Sequence, residues 1–278
     1  MKYSRSLLVT AEKDLKSVLV LYNAGFYSNA IFQMQQAVEK IVKSFGLEKG
    51  IINEEELKRH ISHLPHKVIT KMLEGQIKEC DSYKKLITSF MIPEHEKIEK
   101  QKKKEAIIAL NDVINYVRRE NVNNIYFSND DYENLISQAS DLEKEGIYND
   151  SEISASIIDR YQKINDHFRT IFFNDSTILE LLDPLADMQN SNIEQKVLAY
   201  KENIERHRKF DYITFVWSNL SIMTAPHEQM SRYPSEKEPQ KLDDLYNLEL
   251  PIVKYTPQIV ELLEKSIDIY KDIYKLSI

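Results

Sequence analysis

Two apolar stripes at helical spacing, joined by three residues, constrain this chain more than any other feature. Leu8, Ala11, Leu15, Val18 and Tyr22 step by three and four residues, and so do Ile31, Met34, Val38, Ile41 and Phe45. That spacing puts each set on one face of a helix. Both faces must be buried, and the link Asn23-Ala24-Gly25 suits a tight antiparallel helical hairpin. Beside the second stripe stand Gln35, Gln36, Glu39 and Lys40, a polar group on a helix whose main business is burial.

The 278 residues are about twice a usual domain, so one enlarged domain or two domains fit equally, with a substantial core in either case. Five glycines and eight prolines leave few turns, and the Leu, Ile, Lys and Glu content favours helices over the β-branched alternation of strands. The fold class expected is all-α. Cys80 is the single cysteine, which excludes an intrachain disulfide and a multi-cysteine metal site and makes a reducing, cytoplasmic compartment the expectation. Lys13, Asp14 and Lys16 come too early for a signal-peptide core, and no apolar run approaches the ~18 residues of a membrane span. The net charge of -7 argues against a broad nucleic-acid surface, so any RNA contact would be concentrated in one place.

Punctuation divides the remainder. Gly46 and Gly50 mark the end of the hairpin, and Asn53 caps a third helix opened by Glu54-Glu55-Glu56, which meets Pro65. Ile92-Pro93 predicts a break before the lysine-rich face of residues 97–104, which reads as a solvated helix face. A loop is expected near residues 121–130, with Ser128-Asn129-Asp130-Asp131 capping the next helix. Helical segments follow over roughly Ser151 to Phe173 and Ser176 to Thr224, the second breakable at Pro184 and at Asn190-Ser191-Asn192. Pro226, Pro234 and Pro239 enforce an irregular stretch. It ends at Pro251 or Thr256-Pro257, where a last helix buries Ile259, Leu263, Ile267, Tyr270 and Tyr274.

The opening TAEKDLKSVLVLYNAGFYSNAIFQMQQAVEKIVKSF resembles the start of HEPN domains. KRHISHLP at residues 58–65 and SRYPSE at 231–236 resemble the subgroup with a histidine after the second helix and an Arg-Tyr-Pro segment before the last. The resemblance implies an antiparallel helical bundle built from residues 1–72 and 208–278, with residues 73–207 as a large helical insertion. It also implies a homodimer, RNA or a nucleotide as ligand, a nucleotidyltransferase-type protein as partner, and no cofactor. A prokaryotic defence or toxin-antitoxin role is implied on the same ground. Gln35, Gln36, Glu39 and Lys40 would face the groove that holds Arg232 and Tyr233, where arginine and tyrosine grip a phosphate and stack on a base. The bland alternative pairs Glu39 with Arg232 or a lysine inside the bundle and lets Tyr233 pack.

Catalytic HEPN members carry an arginine, four to six residues and then a histidine near the start of the fourth bundle helix. Such a pair suits metal-free RNA cleavage, the imidazole moving a proton from a 2′-hydroxyl while the guanidinium neutralises phosphate charge. Here His227 precedes Arg232, reversing that order. The spacing recurs as Arg160 to His167 and as Arg59 to His66, against roughly 0.7 such pairs expected by chance. His227, His60 and His167 are therefore the candidate proton carriers of an active metal-independent endoribonuclease, with Arg232 or Arg160 as the phosphate clamp. A purely protein-binding scaffold is the other rival. His60, His63 and His66 have the spacing of a zinc cluster, but Pro65 disturbs the helix it would need. No glutamate stands three residues before any histidine, which excludes the di-iron bundle signature.

Overall fold

The computed structural model describes residues 2–61, 65, 67–72, 74–75, 105, 108, 127–144, 193–231 and 242–276. The fold is all-α, and no strand occurs among the described residues. Two compact units divide the chain, one of residues 1–140 with 212–278, the other of residues 141–211.

The first unit starts with the expected hairpin. Helix α1 runs Lys2–Asn23 and α2 runs Tyr27–Glu48. Their hydrogen bonds and ion pair fix an antiparallel register: Ser4 Oγ donates to Glu48 Oε2 at 2.5 Å, Ser44 Oγ donates to the Ser4 carbonyl at 2.8 Å, and Lys40 pairs with Asp14. Leu8, Ala11, Val18, Ile31, Met34, Val38, Ile41 and Phe45 are wholly buried. Tyr22 is only half-buried, because it sits at the tip and meets Tyr27 edge-on at 5.3 Å.

The turn is a Schellman motif. Gly25 has a φ of 81°, its N–H donates to the Tyr22 carbonyl at 3.0 Å, and the Phe26 N–H donates to the Leu21 carbonyl at 2.9 Å. The same device closes α2 at Gly50, whose φ is 66°. Gly46, read from sequence as punctuation beside it, lies instead inside α2, where it serves close packing. A Cβ there would come within 2.6 Å of Val68 Cγ1 and 3.0 Å of Ile52 Cγ1.

Helix α3, Glu54–Glu56, carries the expected cap in full. The Glu56 N–H donates to Asn53 Oδ1 at 2.9 Å, and Asn53 N–H donates to Glu56 Oε2 at 3.1 Å. It is shorter than expected, widening at once into a π-helical turn over Leu57–Ile61. Helix α4, Asn129–Lys144, is capped as predicted: Ser128 N–H and Oγ–H both donate to Asp131 Oδ2, at 2.7 and 2.8 Å. Residues 129–140 belong to the first unit. They are held there by Tyr132, stacked on Tyr255 with ring centres 5.6 Å apart, and by the Tyr255 hydroxyl donating to Glu133.

Helix α5 spans Ile193–Met223, and from Tyr212 onward it is part of the first unit. Three short helices occupy the proline-punctuated stretch: α6 at His227–Met230, α7 at Leu242–Leu245 and α8 at Pro251–Lys254. The last helix, α9, runs Thr256–Tyr274 with Pro257 in its first turn. Its predicted seam is buried at Ile259, Leu263, Ile267 and Tyr270, whereas Tyr274 is half-buried beneath the Lys49 ammonium, 4.0 Å from the ring centre.

An aromatic cluster joins α2, α5 and α9. Phe45 lies 5.4 Å from Trp217 and 5.9 Å from Tyr270, and Trp217 lies 5.4 Å from Tyr270, all three pairs edge-on. Trp217 Nε1–H donates to Ser266 Oγ at 2.8 Å, so the one polar atom of the indole is satisfied in the core. In the second unit the described residues are the end of α4 and the first part of α5, where Arg208 donates to the Glu143 carbonyl at 3.0 Å and pairs with Glu205 at 2.6 Å.

The tight seat of Gly46 yields a stability prediction. Gly46→Ala would gain helix propensity in isolation, yet overpacking against Val68 and Ile52 is expected to leave a net loss of about 1–3 kcal/mol. Thermal melts check it, and a variant as stable as the wild type would show that α2 and residues 67–72 do not pack this closely.

Candidate functional site

Helix α2 is in contact with α1, α6, α7, α8 and α9. Its polar residues form one chain of contacts: Gln36 Nε2 donates to Gln35 Oε1 at 2.7 Å, and Gln35 Nε2 donates to Glu39 Oε2 at 3.3 Å. Lys43 pairs with Glu39 Oε1 at 2.5 Å, while Lys40 pairs with Asp14 and reaches Gln36 Oε1 at 3.5 Å. Gln35 and Glu39 are buried, whereas Gln36 and Lys40 are half-buried. The i,i+4 relation of Glu39 and Lys43 was visible in the sequence, but its burial was not; the pairing with a lysine within the bundle is the structural role the sequence offered for Glu39.

His227 opens α6 and is 2% exposed. Its Nδ1 lies 2.8 Å from the Tyr246 hydroxyl, with the two rings edge-on at 5.7 Å. Ser231 Oγ donates to the His227 carbonyl at 2.5 Å, closing the turn on itself. Burial pushes the imidazole down to about 4 from its ordinary value. A proton carrier serving chemistry at neutral pH needs a pKa close to the working pH and access to the reacting atoms. His227 has neither property in this setting and acts as a clamp between α6 and the residue after α7. Tyr246 as its partner escaped the sequence reading, since the two stand nineteen positions apart across a proline-rich stretch.

Arg232, Tyr233, Arg160 and His167 lie outside the described residues, as do His63 and His66. His60 falls in the π-helical turn, with only its backbone described, and Arg59 beside it is exposed and paired with Glu55 at 2.9 Å. Among the described residues no cluster of three metal-ligating side chains occurs, and no helix is long and apolar enough to cross a membrane.

Comparison with known proteins finds one family here. The HEPN domain model matches residues 4–121. The match takes in α1, α2, α3 and the π-helical turn, stopping short of α4. No curated protein and no solved structure matches the chain.

Two predictions follow from the buried polar groups. The unfolded chain protonates His227 near the ordinary histidine value, whereas the folded chain does so only near about 4. Stability is therefore whole above about pH 6.5 and falls as pH drops toward 4, by about 3 kcal/mol for this group. Denaturant melts at pH 7.5 and 4.5 should show a smaller loss for His227→Leu than for the wild type. Lys43→Met takes the lysine away from the buried Glu39 carboxylate, whose side chain is 6% exposed, and is expected to cost about 3 kcal/mol. Glu39→Gln in the same background should restore most of that cost in urea unfolding.

Proposed function

We propose that this protein binds RNA, or a partner that carries a nucleotide, through Arg232 and Tyr233 together with the polar residues of α2. The observation that carries this reading is positional. The short helices on either side of that stretch, α6 and α7, both pack against α2, and α2 presents the half-buried Gln36 and Lys40 beside the buried Gln35 and Glu39. Arg232 and Tyr233 stand in the sequence between α6 and α7, and their side chains offer a guanidinium for phosphate and a ring for a base. The HEPN match over residues 4–121 supports an RNA-related or nucleotide-binding role.

Cleavage is not part of the reading. His227 is neutral, buried and held by Tyr246, and the arginine that follows it comes in the reverse of the catalytic order. A homodimer, a nucleotidyltransferase-type partner and a place in a prokaryotic defence or toxin-antitoxin system belong to the same proposal. So does the partition into a bundle of residues 1–72 and 208–278 with an inserted middle.

The deciding experiment incubates pure protein with single-stranded RNA in EDTA and measures retention and cleavage together. The expected outcome is intact, retained RNA, with affinity reduced about tenfold by Arg232→Ala, a change of about 1.4 kcal/mol, and left unchanged by His227→Ala if that variant folds. Cleavage that survives EDTA and vanishes in His60→Ala or His167→Ala would make the protein a metal-independent endoribonuclease instead. No retention by any form, together with a co-purifying protein, would favour the scaffold.

A further inference from the structure

A cleft of about 220 Å³ opens between α4 and α5, with no α2 residue among its described lining. Leu135, Ile222 and Met223 contribute apolar surface to it, and Phe127 and Phe215 line it as well. Neither phenyl ring makes a ring contact among the described residues. The polar part consists of three carboxamides, Asn134, Gln138 and Asn219, with the Asp131 carboxylate. Asn134 and Gln138, one turn apart on α4, make no side-chain hydrogen bond among the described residues. Asn219 spends its Nδ2 on the Phe215 carbonyl at 2.9 Å, which leaves its Oδ1 as an acceptor, and Asp131 uses Oδ2 on the Ser128 cap.

This lining selects by size, shape and charge. At about 220 Å³ the cleft falls below the roughly 300–1,000 Å³ of drug-sized sites, so it suits a single ring system. No lysine or arginine is among its described lining residues, and Asp131 would repel a phosphate. Carboxamides present a donor and an acceptor side by side, the complement of a heteroaromatic edge that alternates the two. Apolar and aromatic walls favour the faces of such a ring.

We propose that the cleft between α4 and α5 binds one uncharged planar heteroaromatic ring, read along its edge by Asn134, Gln138 and Asn219, with any attached phosphate left outside. The ring comes either as a free nucleoside or as an unpaired base of a longer strand. The site is independent of the α2 groove, so either can fail without the other.

Saturation-transfer NMR on the full chain with adenosine, guanosine, cytidine and uridine, and separately with single-stranded tetranucleotides, tests the proposal. At least one nucleoside or tetranucleotide is expected to bind saturably at millimolar concentration. Asn134→Ala combined with Gln138→Ala, both on the exposed face of α4, should weaken it about tenfold, while Glu261→Ala on the exposed side of α9 leaves it unchanged. Binding of nucleosides alone identifies a free ligand, and tetranucleotide binding that the same double variant weakens identifies an unpaired base; both uphold the site. Absence of binding by any probe, or equal binding by the double variant, overturns it. Thermal melts of each variant guard against misfolding.

Discussion

Phe45, Trp217 and Tyr270 meet edge to face where α2, α5 and α9 converge, and the rest of the first unit is arranged around that meeting. The three rings come from positions far apart in the chain, so their contact requires the N-terminal hairpin and the C-terminal helices to close on one another. Edge-on geometry sets the positive rim of one ring against the negative face of the next, which adds about 0.5–1.5 kcal/mol per pair to the burial itself. The indole N–H would be a costly orphan in such a core. Ser266 removes that cost by accepting from it and donating in turn to the Leu263 carbonyl at 2.7 Å.

Around this knot α2 carries two kinds of surface, and its neighbours separate them. The apolar seam is covered by α1 and by the aromatic cluster, while the buried Gln35 and Glu39 bond to each other, to Gln36 and to Lys43. A buried carboxylate so paired is a constraint on geometry more than a source of stability. The His227–Tyr246 contact acts likewise at the other end of the site. It ties α6 to the residue following α7, and both helices rest on α2. A neutral imidazole suits that place, because burial penalises the charged form.

Much of the frame was legible in the residues. The hairpin stripes, the Asn53 capping box, the Ser128 cap and the seam of α9 all depend on contacts between residues three or four apart, which spacing reports directly. Gly46 was misread for a related reason. A glycine near a helix end signals a stop when only the backbone is considered, whereas its true role depends on Val68 and Ile52 arriving from elsewhere. The third helix ended early for a comparable reason, since its cap was visible but the π-helical widening after Glu56 was not.

By itself the sequence determined the helical class, the hairpin and its turn, and the resemblance that the family match over residues 4–121 repeats. These follow from local periodicity, capping chemistry and the conformational freedom of glycine at Gly25, all properties of neighbouring residues. Only the tertiary structure decided which polar groups are interior. Glu39 and Gln35 sit beside Gln36 and Lys40 on one helix and look alike in the sequence, yet one pair is buried and the other half-buried. The depressed histidine, its tyrosine partner and the carboxamide-lined cleft also required distant segments to pack, because burial and the loss of solvent that accompanies it belong to the assembled fold.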